Sequence, residues 1–175
     1  EKEFGIWQTY SWRDYAEEVR RLACGLAELG FKRGDKVAII GDNRPKLYFA
    51  MLAAQSLGGI SVALYQDSIA KELNYVIHHS EARFVIAEDE EQVDKLYEIK
   101  DQIPHVERVV YYYPRGLELN DDPWLIQLAE VQERGDAFAA REPDYFASEL
   151  AQGQSDDVCM YSYTSGTTGM PKGVM

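Results

Sequence analysis

The chain has 175 residues, 46% hydrophobic and 27% charged, which is enough apolar material for one compact core. Its formal net charge of −12 argues against a nucleic-acid groove or a polybasic membrane patch. Cys24 and Cys159 show no CxxC spacing, and His78, His79 and His105 no metal-ligand spacing. Both thiols are therefore expected to be reduced and in the core, and the adjacent histidines to lie on a helix surface.

Ser11-Trp-Arg-Asp14 matches a capping box. Behind it Tyr15, Val19, Leu22, Leu26 and Leu29 recur at three- and four-residue steps, which predicts a helix closed by Gly30. Lys36–Gly41 reads as a short strand of the parallel-sheet type. Asp42-Asn-Arg-Pro45 then opens a second helix, with the proline tolerated in its first turn. Tyr48 to Tyr65 is uncharged for eighteen residues and approaches the length of a membrane span. Gln55, Ser56 and Gly58-Gly59 interrupt it, so it is read as a helix, a turn and a strand over Ile60–Tyr65.

A third helix is expected from about Ile69 to His79, capped by Ser68, and a strand over Arg83–Ala87. Glu88-Asp-Glu-Glu91 supplies favourable charge at the start of a helix running to about Gln102 and is not read as a metal site. Glu107–Tyr113 is the next strand, its three tyrosines explained by β-propensity. Short buried strands alternating with ten- to fifteen-residue helices predict βαβ units: an α/β fold, a mostly parallel sheet with flanking helices. From residue 114 to 155 the character changes. A helix containing Trp124, Leu125, Leu128 and Val131 is expected to end near Gly135, and Asp136–Gly153 is helix-prone but broken by Pro143.

Val158–Tyr163 reads as a buried strand, and it leads into Tyr163-Thr-Ser-Gly-Thr-Thr-Gly-Met-Pro-Lys-Gly173. Gly166, Gly169 and Gly173 permit close approach of a ligand to the backbone, and consecutive N–H groups in such a loop form a concave anion site. Thr164, Ser165, Thr167 and Thr168 add hydroxyl donors, and Lys172 a full positive charge. From Gly135 onward the only cations are Arg141 and Lys172. That combination suits a polyphosphate; the plain alternative is a surface turn. The GxxxxGK[ST] loop is excluded, because Pro171 precedes Lys172 and Gly173 follows it. A phosphotransferase or ATPase built on that loop is excluded with it.

The segment resembles the phosphate loop of the adenylate-forming superfamily, which comprises acyl- and aryl-CoA synthetases, peptide-synthetase adenylation domains and luciferases. Gln8–Tyr15, Gly34–Ile40, Asp42–Pro45 and Leu57–Tyr65 resemble further segments of that family, with Ala63 standing where acyl-CoA synthetases carry a proline. The Asn-Arg-Pro turn, the Leu-Tyr ending and the helical stretch at 122–150 are most like the long-chain fatty-acid–CoA ligases. The resemblance implies that a carboxylic acid, a fatty acid in the first instance, is activated by ATP to an acyl-adenylate and pyrophosphate, and then passed to coenzyme A. It implies nucleotide-phosphate binding by Thr164, Ser165, Gly166, Thr167, Thr168, Gly169, Pro171, Lys172 and Gly173, with Lys172 catalytic and Thr164 helping to hold Mg²⁺.

Residues 1–155 would then be the N-terminal α/β part of the large AMP-binding domain, and 156–175 a strand with its phosphate loop. The family's Tyr-Gly-x-Thr-Glu segment, ribose-binding aspartate and C-terminal catalytic lysine have no counterpart here. The chain is accordingly read as an N-terminal fragment, inactive alone. Other adenylate-forming ligases (acyl-AMP ligase, aryl-CoA ligase, peptide-synthetase adenylation domain) and a non-catalytic nucleotide-binding module remain alternatives. No nucleic-acid partner and no transmembrane span are expected; peripheral membrane contact is left open. With no signal peptide at its head, the expected location is cytoplasmic.

Overall fold

The computed structural model describes residues 2–3, 5–164 and 171–175. A two-stranded antiparallel hairpin, β1 (Lys2–Glu3) and β2 (Ile6–Trp7), precedes helix α1 (Trp12–Glu28). The capping box forms as expected: Ser11 Oγ accepts from the Asp14 N–H at 3.2 Å, and Asp14 Oδ2 accepts from the Ser11 N–H at 2.9 Å. Gly30, with φ of 93°, takes the left-handed turn that ends the helix.

Then come β3 (Lys36–Ile40), α2 (Pro45–Ser56), β4 (Ile60–Leu64), α3 (Ala70–Ser80), β5 (Phe84–Ala87), α4 (Glu90–Glu98) with a 3₁₀ turn at Lys100–Gln102, and β6 (Arg108–Tyr111). The uncharged stretch is indeed helix, turn and strand, and no described helix is long and apolar enough to cross a membrane. Asp89 caps α4, accepting from the Gln92 N–H at 3.3 Å, with Glu90 and Glu91 in the first turn as the acidic run predicted. Ser68 does not cap α3; Ile69 stands there without a side-chain bond.

The C-terminal third departs from expectation. Leu125–Gln127 forms a strand, β7, where a helix was expected, and α5 runs from Leu128 to Arg141 straight through Gly135. A seven-residue helix α6 (Tyr145–Ala151) follows, then β8 (Met160–Thr164) and β9 (Lys172–Val174). Gly135 does not stop α5 because it serves a different end: it lies where α5 crosses α1. An alanine Cβ there would sit 1.9 Å from the Arg21 carbonyl oxygen, and one at Gly25 would sit 2.1 Å from that of Val131. The two helices meet backbone to backbone. Around this crossing Arg21 Nε bonds Asp136 Oδ2 at 2.9 Å, and Gln132 Nε2 bonds Glu18 Oε2 at 2.6 Å.

One seven-stranded sheet has the order β7-β6-β5-β3-β4-β8-β9, with every neighbouring pair parallel except β8–β9. Side-chain alternation sorts its residues between two cores. Val37, Ile39, Phe84, Ile86 and Val110 face the layer of α1, α2 and α5, while Ala38, Ile40, Val85, Ala87 and Val109 face α3 and α4. Burial on both faces explains why these strands read as unbroken apolar runs.

The strand before the glycine-rich segment is not buried as expected. Of β8 only Tyr163 is buried, and the apolar cluster there is small, built on Val62, Val76 and Tyr163. Cys24 lies in the core as expected, but Cys159 is exposed. Its carbonyl is what the fold uses, taking bonds from the Ser61 N–H, Ser61 Oγ and Gln55 Nε2 at 3.1 to 3.2 Å.

Candidate functional site

Parallel strands deliver their outgoing turns to one edge of the sheet. Here that edge collects Gly41–Arg44 after β3, Tyr65–Asp67 after β4, Glu88 after β5, Tyr112 and Tyr113 after β6, and Thr164 at the end of β8. The chain leaves β3 toward β4 on one side and returns to β5 on the other. The gap between β3 and β5 is therefore a topological switch point, where open α/β sheets commonly take ligands.

In this chain that gap is filled by its own side chains. Glu88 is 6% exposed; its carboxylate accepts from the Asp42 N–H and lies 2.8 Å from Arg44 Nε as an ion pair. The buried Tyr112 hydroxyl lies beside it. Burial first, and the Glu88 carboxylate second, hold the Tyr112 phenol well above the ordinary tyrosine range, so it stays neutral. Gly41 makes the arrangement fit, since a Cβ there would meet Tyr112 Oη at 2.6 Å and Glu88 Cβ at 2.8 Å. Glu88→Gln keeps one acceptor and loses the charge. We expect a loss of about 1–3 kcal/mol in stability with an unchanged denaturant m-value, measured by urea unfolding. An unaltered midpoint would show that Arg44 and Asp42 do not depend on this carboxylate.

The open space lies further along the same edge. A cavity of about 370 Å³ is lined by Ile39 and Ala63 from the sheet, Asp42 and Asp67 from the turns, and Ser162 and Tyr163 from β8. Its described lining contains carboxylates and amides but no Lys or Arg, which suits the neutral part of a ligand and not a phosphate. Lys95 fixes the Tyr65–Asp67 turn, with Nζ donating to the Gln66 carbonyl at 2.7 Å and pairing with Glu91 at 2.8 Å.

Of the residues expected to bind phosphate, Thr164, Pro171, Lys172 and Gly173 are described, and Ser165, Gly166, Thr167, Thr168 and Gly169 lie outside the described residues. The two stems of the segment are hydrogen-bonded to each other. Ser162 pairs with Val174, Tyr163 with Gly173, and Thr164 with Lys172. Thr164 and Lys172 are thus brought opposite one another, both exposed, at the carboxyl edge of the sheet. Neither the Glu88–Arg44 pair nor the Gly25–Gly135 crossing can be seen from spacing, because neither follows a local rule. His78 and His79 are exposed on α3 as expected, but His79 also reaches across to Tyr163.

A mostly parallel sheet covered by helices on both faces, with a hairpin at its carboxyl edge that pairs Thr164 with Lys172, makes this an α/β protein of the open-sheet class. The fold is shared with the anthranilate CoA ligase AuaEII, solved in complex with anthranoyl-AMP. The TM-score is 0.79 at 23% identity, covering 95% of this chain and 29% of that one. It is shared as well with a long-chain-fatty-acid-CoA ligase (FadD1) from Archaeoglobus fulgidus, with a TM-score of 0.74 at 22% identity over 97% of this chain and 30% of that one.

Residues 2–175 match the family described as AMP-binding enzyme, and the chain belongs to that family. Among curated proteins it is 32% identical to the long-chain-fatty-acid–CoA ligase ACSBG2 of Xenopus laevis, over 97% of this chain and 22% of that protein. It is 31% identical to the long-chain-fatty-acid–CoA ligase ACSBG1 of Homo sapiens, over 97% and 23% respectively. The chain thus spans about a quarter of the length of the curated relatives it matches.

Proposed function

We propose that the complete protein carrying this chain activates a carboxylic acid, a long-chain fatty acid in the first instance, with ATP and passes the acyl group to coenzyme A. The observation that carries this reading is the β8–β9 hairpin. In a chain of the AMP-binding family, it sets Thr164 opposite Lys172 beside the sheet's carboxyl edge.

In the first step a carboxylate oxygen attacks the α-phosphorus of ATP, and the bond from that phosphorus to the bridging oxygen breaks. The electron pair leaves with pyrophosphate, which gains charge as it departs. Donors aimed at the β- and γ-phosphates are worth more in that transition state than before it, which is the role assigned to Lys172 and to the backbone N–H groups and hydroxyls of the loop. The thiol of coenzyme A then displaces AMP from the acyl-adenylate.

Among the described residues no group of three His, Cys, Asp or Glu could hold a metal ion. The exposed Thr164 hydroxyl fits Mg²⁺ of another kind, held mainly by phosphate oxygens and water with one protein oxygen. Such an ion would neutralise phosphate charge. Adenine and ribose contacts are proposed to come from sequence outside these residues, and the cytoplasmic location expected from the sequence belongs to the same proposal.

The test is product analysis on the full-length protein across a panel of acids, with hydroxylamine trapping of the acyl-adenylate. AMP and pyrophosphate should appear, most rapidly with long-chain acids. ADP as product would overturn the reaction class. A preference for aryl or amino acids would overturn the fatty-acid assignment alone.

A further inference from the structure

We propose that His79 is a positioning residue for the phosphate segment, acting through Tyr163; the inference rests on the phosphate reading given above. His79 Nδ1 lies 2.7 Å from Tyr163 Oη. The His79 ring is held from behind by Tyr75, which stacks on it at 5.6 Å between centroids and 22° between planes. It meets the Tyr163 ring edge-on at 5.7 Å and 86°. Tyr163 itself is 8% exposed and packs on Val62 and Val76. Burial raises its phenol above the ordinary tyrosine value, so an O–H is available to the imidazole.

The same phenol ring also supports the returning strand. A Cβ on Gly173 would lie 3.2 Å from Tyr163 Cζ and 3.4 Å from its Oη, so β9 rests against the ring with almost no slack. One side chain therefore joins three elements: α3 through the hydrogen bond, β8 through its own backbone, and β9 through the contact at Gly173. Its neighbours in the hairpin are Thr164 and Lys172, the paired residues at the mouth of the segment. Turning the ring would shift both stems together. Packing alone would be served as well by phenylalanine. The hydroxyl adds a fixed ring orientation, and His79, an exposed residue near the C-terminal end of α3, supplies the partner.

Steady-state kinetics of the full-length protein separate this role from simple packing. Tyr163→Phe and His79→Ala should each raise KM for ATP about three- to tenfold, the range one hydrogen bond supplies, with KM for the acid unchanged and only a slight fall in Tm. The double variant should be no worse than the poorer single one, because both remove the same interaction. His79→Asn, whose amide oxygen can still accept from the phenol, should recover part of the loss. Variants that leave KM for ATP at the wild-type value overturn the positioning role and leave the ligase reading standing. Equal rises in both KM values together with a large fall in Tm overturn it too, and assign Tyr163 to packing. A wild-type protein that forms no AMP with any acid overturns both.

Discussion

Gly135→Ala is expected to destabilise the protein by about 3 kcal/mol or more, at the upper end for overpacked sites. In an exposed helix the same change would stabilise by about 1 kcal/mol through helix propensity. Geometry decides the sign. The new Cβ would lie 1.9 Å from the Arg21 carbonyl oxygen and 2.7 Å from the Gly25 nitrogen. Both are main-chain atoms, so no rotamer change relieves the overlap, and α5 must lift off α1. That movement would also pull apart the Arg21–Asp136 and Glu18–Gln132 contacts beside the crossing. Chemical denaturation of the variant measures the loss. Gly153→Ala is the control, since the nearest atom its Cβ would meet is the Leu150 carbonyl oxygen at 3.4 Å. A Gly135→Ala midpoint equal to that of the control would rule out a backbone-to-backbone crossing.

Under the proposed function, Lys172→Met in the full-length protein should lower the rate of acyl-adenylate formation by about 10²–10³, the usual effect of removing one donor to a developing anion. Stability should change by no more than about 0.5 kcal/mol, because the Lys172 side chain is exposed on an edge strand of the described sheet. The expected signature is thus a large loss of kcat in a protein that melts as the wild type does. Lys172→Arg should rescue only in part, since a planar guanidinium cannot place its charge where the compact ammonium does. Wild-type adenylation by Lys172→Met would reduce Lys172 to a surface residue and leave the backbone N–H groups as the phosphate donors.

Much of this architecture could be read from sequence wherever structure is decided locally. The Ser11–Asp14 capping box, Pro45 at the head of α2 and the apolar runs of β3, β4, β5 and β6 each express a short-range rule, and each formed. The errors fall where tertiary contacts decide. Gly135 looks like a helix stop because glycine usually is one, but here it was needed for an interhelical approach that the sequence cannot display. Leu125–Gln127 looks helical from its neighbours and is a strand because β6 offers it an edge. The run before the glycine-rich segment looks buried because it is apolar, yet only Tyr163 finds cover. The same division holds at the site. Thr164 and Lys172 stand out from spacing and the fold pairs them, their binding of phosphate being the proposal made above, whereas the His79–Tyr163 contact and the Glu88–Arg44 pair depend on elements that meet only in the folded chain.

The pairing of β4 with β8 bears on how the molecule assembles. It closes a long stretch of chain: the Ser61–Cys159 bond alone spans 98 positions. Strands β3 to β6 and their helices, by contrast, join through successive βαβ crossovers of modest length. Loop-closure entropy must be met before a long-range contact contributes, so the crossovers are expected to form first and β8 to dock onto a sheet already made. The β8–β9 hairpin is then expected to join the sheet after β3 to β6 have paired. Sequence change within it would be screened by what the finished protein does, with little effect on whether the core folds.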